Sequence, residues 1–369
     1  LRLNALVAPA LLSALLSCSG VAESQDAPRM VIADQDASGP GGSDMASLLV
    51  FLQSPKVDLL GITVVSGDSW RDLEVAHTLR LLEFMGRTDV KVHPGAAFPL
   101  VRTQEWTRLA LQMYGKVTWM GAWSEENKMR WDEVGTPAEG LPATKASDED
   151  AAHFMVRMVH LHPHQVTIYG AGPLTNIALA IRLDPHFAES AQELIIMGGS
   201  VNPHTEAPEW VNAPRHEFNF WFDPEAAHIA LTAPWPKITI TTIDASIQTH
   251  LDGVLKNMTA SNANAAKYLV KYTQQGSVSG YAWDELAAAT WLDPAITVHE
   301  RNVYIDVSLS HGSDYGDTMI YSDSDKPALT LQKVHAQIDV DAPRLEKDLT
   351  ALFTSPTPKA RDAVALPAK

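Results

Sequence analysis

Two short apolar runs, each delivering carboxylates, constrain this chain most. Met30-Val31-Ile32-Ala33 leads into Asp34 and Asp36, and Leu59-Leu60-Gly61-Ile62-Thr63-Val64-Val65 leads into Asp68. Between them lie a glycine-rich turn and Asp44, which opens an apolar segment over residues 45–53. Met45, Leu48, Leu49 and Leu52 recur there at helical spacing. Short, nearly continuous apolar runs read as strands buried on both faces, and strand-helix-strand order makes them parallel. Carboxylates at the ends of such strands stand where open α/β sheets build their sites.

The alternation continues along the chain. A helix is expected over Arg71–Met85, with Leu73, Ala76, Leu79 and Leu82 on one side and Gly86 as its stop. Further strands are expected at residues 90–93, 166–169, 194–197 and 238–243, the last ending at Asp244. Helices are expected at 151–160, 174–183, 224–231, 251–275, from Asp284 onward, and at 345–353. Residues 303–309 and 317–321 read as paired late strands. The order predicts an α/β fold: a single large domain over residues 30–354, Rossmann-like, with a mostly parallel central sheet flanked by helices. Residues 96–148 break the pattern. They carry Trp106, Trp119, Trp123 and Trp131 among polar and glycine residues, and are expected to cross the mouth of the sheet.

Charge narrows the partners. The formal net charge is -16, which repels nucleic-acid phosphates and anionic lipid, and no basic patch offsets it. A bound cation would be welcome in that field. The single cysteine, Cys18, rules out an internal disulfide and a Cys-rich zinc site. Its surroundings suggest another use. Arg2 followed by an apolar stretch over residues 5–16 reads as an export signal, too short to span a membrane. Leu15-Leu16-Ser17-Cys18 resembles a bacterial lipobox. The expectation is an exported, periplasmic lipoprotein anchored through Cys18, with residues 1–18 as signal, 19–29 as tether and 355–369 as a flexible tail. The alternative is cleavage nearby by ordinary signal peptidase, with Cys18 discarded.

Four blocks carry a family resemblance. They are VIADQD…SDMASLLVFL with LLGITVVSGD, YGAGPLTNIALAIRLDP, IIMGGSV followed by EFNFWFDPEAAHIAL, and AWDELAAATWLDP. Together they span about residues 30–345, in which the chain resembles the nucleoside hydrolases, the inosine-uridine-type ribohydrolases. The resemblance implies hydrolysis of the N-glycosidic bond of a ribonucleoside, giving free base and ribose. It implies a Ca²⁺ ion held by Asp36, Asp44, Asp284 and the backbone carbonyl of Ala171. Oxygen-only ligands from several loops suit such a hard cation. A cation-activated water would be the nucleophile, with Asp36 its general base. Asp34 reads as a supporting carboxylate or as a strand-end acid that satisfies backbone N–H groups. Ribose contacts carry over to Glu217, Asn219 and, more loosely, Asn212, with Asn202 as its competitor. Asp68 stands where the family has Asn.

The departures define the open questions. The opening loop is about three residues longer than the family's Asp-x-Asp-Pro-Gly-x-Asp-Asp, and Ser43 replaces the Asp that grips ribose hydroxyls. Trp283 stands where many members place a His as leaving-group acid, and Tyr114 where another active-site His often sits. Trp283 and Trp119 are weighed as base-stacking residues against plain packing. These departures motivate two alternatives: a catalytically weakened periplasmic nucleoside- or sugar-binding lipoprotein, and a hydrolase for a different glycoside. A homo-oligomer, dimer or tetramer, stays open. His160, His162 and His164 invite a metal reading that Pro163 argues against. Arg71, Glu74 and His77 read as a solvated helix face.

Overall fold

The computed structural model describes residues 27–124, 136–273, 280–328 and 330–360. Among these, nine strands form one sheet. They are β1 (Arg29–Gln35), β2 (Val57–Val64), β3 (Val92–Pro94), β4 (Val166–Ala171), β5 (Glu193–Met197), β6 (Ile238–Thr241), β7 (Thr297–Val307), β8 (Thr318–Tyr321) and β9 (Lys333–Val340). Their order is β3-β2-β1-β4-β5-β6-β9-β7-β8. All neighbours pair in parallel except β7, which runs antiparallel to both β8 and β9. The α/β architecture with a mostly parallel central sheet is therefore as the sequence implies.

Alternate side chains of the buried strands feed two cores. Val31, Ala33, Tyr169, Ala171, Ile195 and Met197 pack with residues of the helices Gly42–Gln53, Arg71–Met85, Asn264–Thr273, Asp284–Leu292 and Ala342–Phe353. Ile32, Ile168, Leu194 and Ile196 pack with residues of Ala151–Leu161, Thr175–Leu183 and Pro224–Thr232. Burial on both faces is why these strands are apolar throughout rather than alternating. Phe51 shows the packing: its ring meets Tyr169 edge-on at 4.9 Å and Trp291 at 5.7 Å.

The strand order reverses between the parallel neighbours β1 and β4, climbing outward on either side of that pair. The two connections leave in opposite directions and open a crevice at the carboxyl ends of the strands.

Several local expectations need correction. Residues 333–340 form β9, an interior strand that the sequence reading missed, although Val334, Ala336, Ile338 and Val340 alternate with polar residues. Asp244 lies in the helical turn Ile243–Ser246, where its carboxylate accepts the Val201 and Asn202 N–H groups at 2.8 Å each. The expected helix over 251–275 is two helices in the described residues, Asp252–Met258 and Asn264–Thr273. Arg29 is no part of a tether: it opens β1, donates to the Trp291 carbonyl at 2.6 Å and lies over the Trp291 ring. Cys18 with the rest of the expected signal, Trp131, and the tail beyond residue 360 lie outside the described residues.

Candidate active site

The crevice between β1 and β4 gathers acids from three places in the chain. Asp36 follows β1 directly, and its Oδ2 accepts the Asp68 N–H at 3.0 Å. Two glycines let the backbone crowd it. A Cβ at Gly67 would stand 2.0 Å from Asp36 Oδ2, and one at Gly172 would stand 2.7 Å from Oδ1. Asp44 lies in the first turn of the helix Gly42–Gln53, where its Oδ2 accepts the Ser38 N–H at 3.0 Å and the Ser38 hydroxyl at 3.3 Å. Asp284 opens its own helix. Its Oδ2 accepts the Gln35 amide at 2.8 Å, and its carbonyl accepts the Tyr169 hydroxyl at 2.7 Å. Ala171 ends β4 in register with Gln35, beside Asp36.

The electrostatics of this group are one-sided. Burial pushes the Asp36 carboxyl well above the ordinary carboxylate range, and Asp68, Asp44 and Asp284 push it further. Burial likewise raises Asp44, Asp68 and Asp284. Among the described residues no Lys or Arg pairs with any of the four. Such a set is neutralised either by protons or by a cation, and an all-oxygen donor set fits a hard divalent one. As they stand, no three His, Cys, Asp or Glu side chains among the described residues form a ready ligand group. The fit therefore rests on donor chemistry and uncompensated charge.

A layer of polar residues holds these acids, and the sequence reading missed most of it. Gln35 is fully buried. Its amide donates to Asp284, to the Ser47 hydroxyl at 3.0 Å and to the Asp44 carbonyl at 3.3 Å, while its Oε1 accepts the Asp36 N–H at 3.1 Å. One side chain thus links three of the acids. A glutamine at a strand end between two aspartates was visible in the sequence, but it does not say which groups it links. Asp34 Oδ1 accepts the Thr63 hydroxyl at 2.6 Å and the Asn176 amide at 2.8 Å, and burial raises its pKa to about 7. It supports Asn176 rather than backbone N–H groups. Glu74 is wholly buried, accepts the Ser69 N–H at 2.7 Å and leaves Oε2 without a partner. His77 is also buried and pairs with Glu139 at 2.7 Å. The expected solvated face of this helix is corrected accordingly: Glu74 and His77 line its buried side.

The other expected site residues divide. Glu217 and Asn219 are buried. Glu217 accepts the Gly199, Asn219 and Phe220 N–H groups at 2.8–3.0 Å and caps the helix Phe218–Phe222. Its charge is felt at Asp68, which puts it on the same crevice. The Asn219 amide donates to the Met197 carbonyl at 3.2 Å. Trp283 is half-buried, with Tyr281 edge-on at 5.5 Å and Trp210 at 6.0 Å, so an aromatic wall adjoins Asp284. Trp119 donates its indole N–H to Asp68 Oδ1 at 2.5 Å.

Three expected residues are placed differently from the rest. The Ser43 hydroxyl is taken up by the protein itself. It donates to Glu285 and accepts the Trp283 and Asp284 N–H groups at 3.1 and 2.9 Å, which uses its whole hydrogen-bonding capacity. Tyr114 and Asn212 are exposed, and neither makes a hydrogen bond or ring contact with a crevice residue. As for the histidine cluster, His160 pairs with Asp184 instead of with His162 or His164.

Comparison with known proteins agrees with this geometry. The family model for inosine-uridine preferring nucleoside hydrolase matches residues 31–347. A probable uridine nucleosidase of Arabidopsis thaliana is 28% identical over 346 residues, covering 86% of this chain and 95% of that protein. The inosine-uridine preferring nucleoside hydrolase of Leishmania major is 27% identical over 324 residues, covering 85% of this chain and 94% of that one. A solved plant nucleoside hydrolase superposes with a TM-score of 0.71 at 25% identity, covering 89% of this chain and all of that one. An inosine-guanosine nucleoside hydrolase shares the fold at a TM-score of 0.71 and 20% identity, covering 88% of this chain and 98% of that one. The fold and the family match together define an α/β enzyme that hydrolyses N-glycosyl bonds. This chain belongs to the inosine-uridine preferring nucleoside hydrolase family.

Proposed function

We propose that this protein hydrolyses the N-glycosidic bond of a ribonucleoside or closely related N-riboside, with Ca²⁺ held by Asp36, Asp44, Asp284 and the Ala171 carbonyl. A divalent cation, if held by these oxygens, would lower the pKa of a water toward neutral pH. Asp36 accepts that water's proton. The water oxygen bonds to the sugar's anomeric carbon. The C–N bond breaks, and its electron pair leaves with the base. Positive charge develops on the sugar in between, and the carboxylates of Asp36, Asp68 and Glu217 face that charge. Glu217, Asn219 and Asp68 are the sugar contacts in this reading. Trp283, backed by Trp210 and Tyr281, offers a surface for the leaving base. An indole is no proton source, so leaving-group protonation is assigned to no residue.

One observation carries the reading: four clustered carboxylates with no Lys or Arg partner among the described residues, all within the residues that the family model matches. Nucleoside turnover with and without chelator, alongside Asp36→Asn, tests it. Both perturbations should abolish base release. Wild-type rates in either would sink the mechanism. The binding-protein alternative drew on the Asp lost at Ser43 and the His lost at Trp283. The family match to hydrolases does not favour it. Export and lipid attachment through Cys18 are proposed on the N-terminal sequence alone. Labelling with a tagged fatty acid, absent in Cys18→Ser, would support attachment. Equal labelling of both proteins would exclude that site.

A further inference from the structure

The long connection after β3 does not merely pass the crevice. It is docked on the loop that follows β2. The Ala122 N–H donates to the Gly67 carbonyl at 2.8 Å. Gly121 approaches so closely that a Cβ would stand 2.2 Å from that same oxygen, and its φ of +51° suits only glycine well. Trp123 then inserts beside Trp70 at 5.3 Å, edge-on, and stacks on Phe222 at 5.5 Å. Residues 121–123 are therefore anchored, and Trp119 projects from that anchor.

Trp119 is 51% exposed, yet its one polar atom is committed: the indole N–H meets Asp68 Oδ1. Asp68 needs such a partner. Its own N–H is spent on Asp36, and its carboxylate shares the crevice with Asp36, Asp44 and Glu217. Like charges at this range repel, and an unheld side chain would turn toward water. An indole N–H is a donor only and does not titrate. It can occupy one carboxylate oxygen without competing for the other. Among the described residues Asp68 Oδ2 has no hydrogen-bond partner, so it remains an acceptor for a ligand.

We propose that Trp119 is a positioning residue for sugar recognition: its indole N–H holds Asp68 Oδ1 so that Oδ2 is presented to a sugar hydroxyl. The proposal rests on the nucleoside-hydrolysis reading above. It differs from a stacking role, because the functional atom is the nitrogen rather than the ring face. It also gives the chain's aspartate, at the loop after β2, a partner that an uncharged amide there would not require.

The test compares Trp119→Phe, which keeps a ring and removes the N–H, with Asp68→Ala and the double variant. Substrates are a ribonucleoside and its 2′-, 3′- and 5′-deoxy analogues. Asp68→Ala identifies the relevant hydroxyl, as the analogue on which that variant loses least relative to wild type, the remaining loss common to all substrates being that of its charge. Trp119→Phe should lower kcat/KM roughly tenfold on substrates carrying that hydroxyl, the range for a hydrogen bond to a charged group. It should leave the matching deoxy analogue unchanged and add nothing to Asp68→Ala. An equal loss on every analogue, or a further loss in the double variant, would overturn the proposal. A second readout needs no turnover. With isotope-labelled tryptophan, the Trp119 indole proton should be protected from exchange in wild type and unprotected in Asp68→Ala. Free exchange in wild type overturns the proposal even if nucleosides are cleaved. Protection together with absent cleavage of every nucleoside would instead refute the reaction while leaving the Trp119–Asp68 pairing intact.

Discussion

Replacing Ser43 with alanine removes three interactions at one point. The hydroxyl accepts the Trp283 N–H at 3.1 Å and the Asp284 N–H at 2.9 Å, and donates to Glu285. The first two serve the start of the helix Asp284–Leu292, which has no side-chain cap from its own N-cap residue. Glu285 is wholly buried, its other oxygen already lacks a partner, and burial raises its pKa to about 8. Alanine at 43 strands two backbone donors and both oxygens of that carboxyl. At roughly 1 kcal/mol for each bond lost, the expected cost is about 3 kcal/mol. For a domain of this size that corresponds to a fall of roughly 4 °C in Tm. Urea unfolding of wild type and Ser43→Ala, followed by tryptophan fluorescence at pH 7, measures it, with Ser43→Thr as the variant that keeps the hydroxyl. Ser43→Asp should also destabilise, because it sets a second carboxylate against Glu285. If Ser43→Ala loses less than about 0.5 kcal/mol, the hydroxyl is not supporting this helix, and a ligand-facing role for Ser43 returns.

Three further outcomes follow from the same geometry. Gly67→Ala drives a Cβ into Asp36 Oδ2, and should cut turnover on the order of 10²-fold with little change in the fold, since small misplacements of a reacting group have that effect; unchanged kinetics would mean that Asp36 does not act from this position. Calcium at about a hundredfold over its Kd should stabilise wild type by roughly 2.7 kcal/mol through mass action, and a thermal-shift titration should lose the effect in Asp44→Asn and Asp284→Asn; an equal shift in all three would place the ion elsewhere. His216 is held neutral by burial and by Arg102, its pKa lowered from 6.5 to about 4. The unfolded chain therefore binds the extra proton between those values, and the stability that His216 contributes is present above pH 6.5 and lost as pH falls toward 4. The loss is about 3 kcal/mol. Urea titrations across that window should show a shallower acid limb for His216→Phe, and parallel limbs would contradict the assignment.

Most of the fold was legible because its signals are local. Strands buried on both faces must be continuously apolar, and covering helices must repeat every three to four residues. β1, β2 and β4 to β6 announce themselves in this way. β9 escaped because its neighbours are unusual: it joins the parallel sheet to an antiparallel edge, and its Lys333, His335, Gln337 and Asp339 dilute the apolar run. Asp36, Asp44 and Asp68 could be named in advance, since each stands at a strand end or helix start, and Asp284 through the family resemblance of its block. Gln35 could not, because a strand glutamine carries no sign of the three acids it links. Glu74 and His77 were misjudged for a related reason. Helical spacing tells which residues share a face, but not which face the rest of the chain covers.

The two apolar runs and their trailing carboxylates thus determined the kind of sheet, the end at which its site lies, and the acids available there. Those are consequences of covalent order, since a strand delivers its next residue to its own carboxyl end. The tertiary structure decided how those acids are used. It set Gly67 and Gly172 against Asp36, turned Ser43 inward to the helix of Asp284, and brought Trp119 onto Asp68. Each is a contact between residues separated by dozens to hundreds of positions. Its energy depends on distances that no local pattern specifies, so only the packed chain could settle which groups meet and which oxygens remain for a ligand.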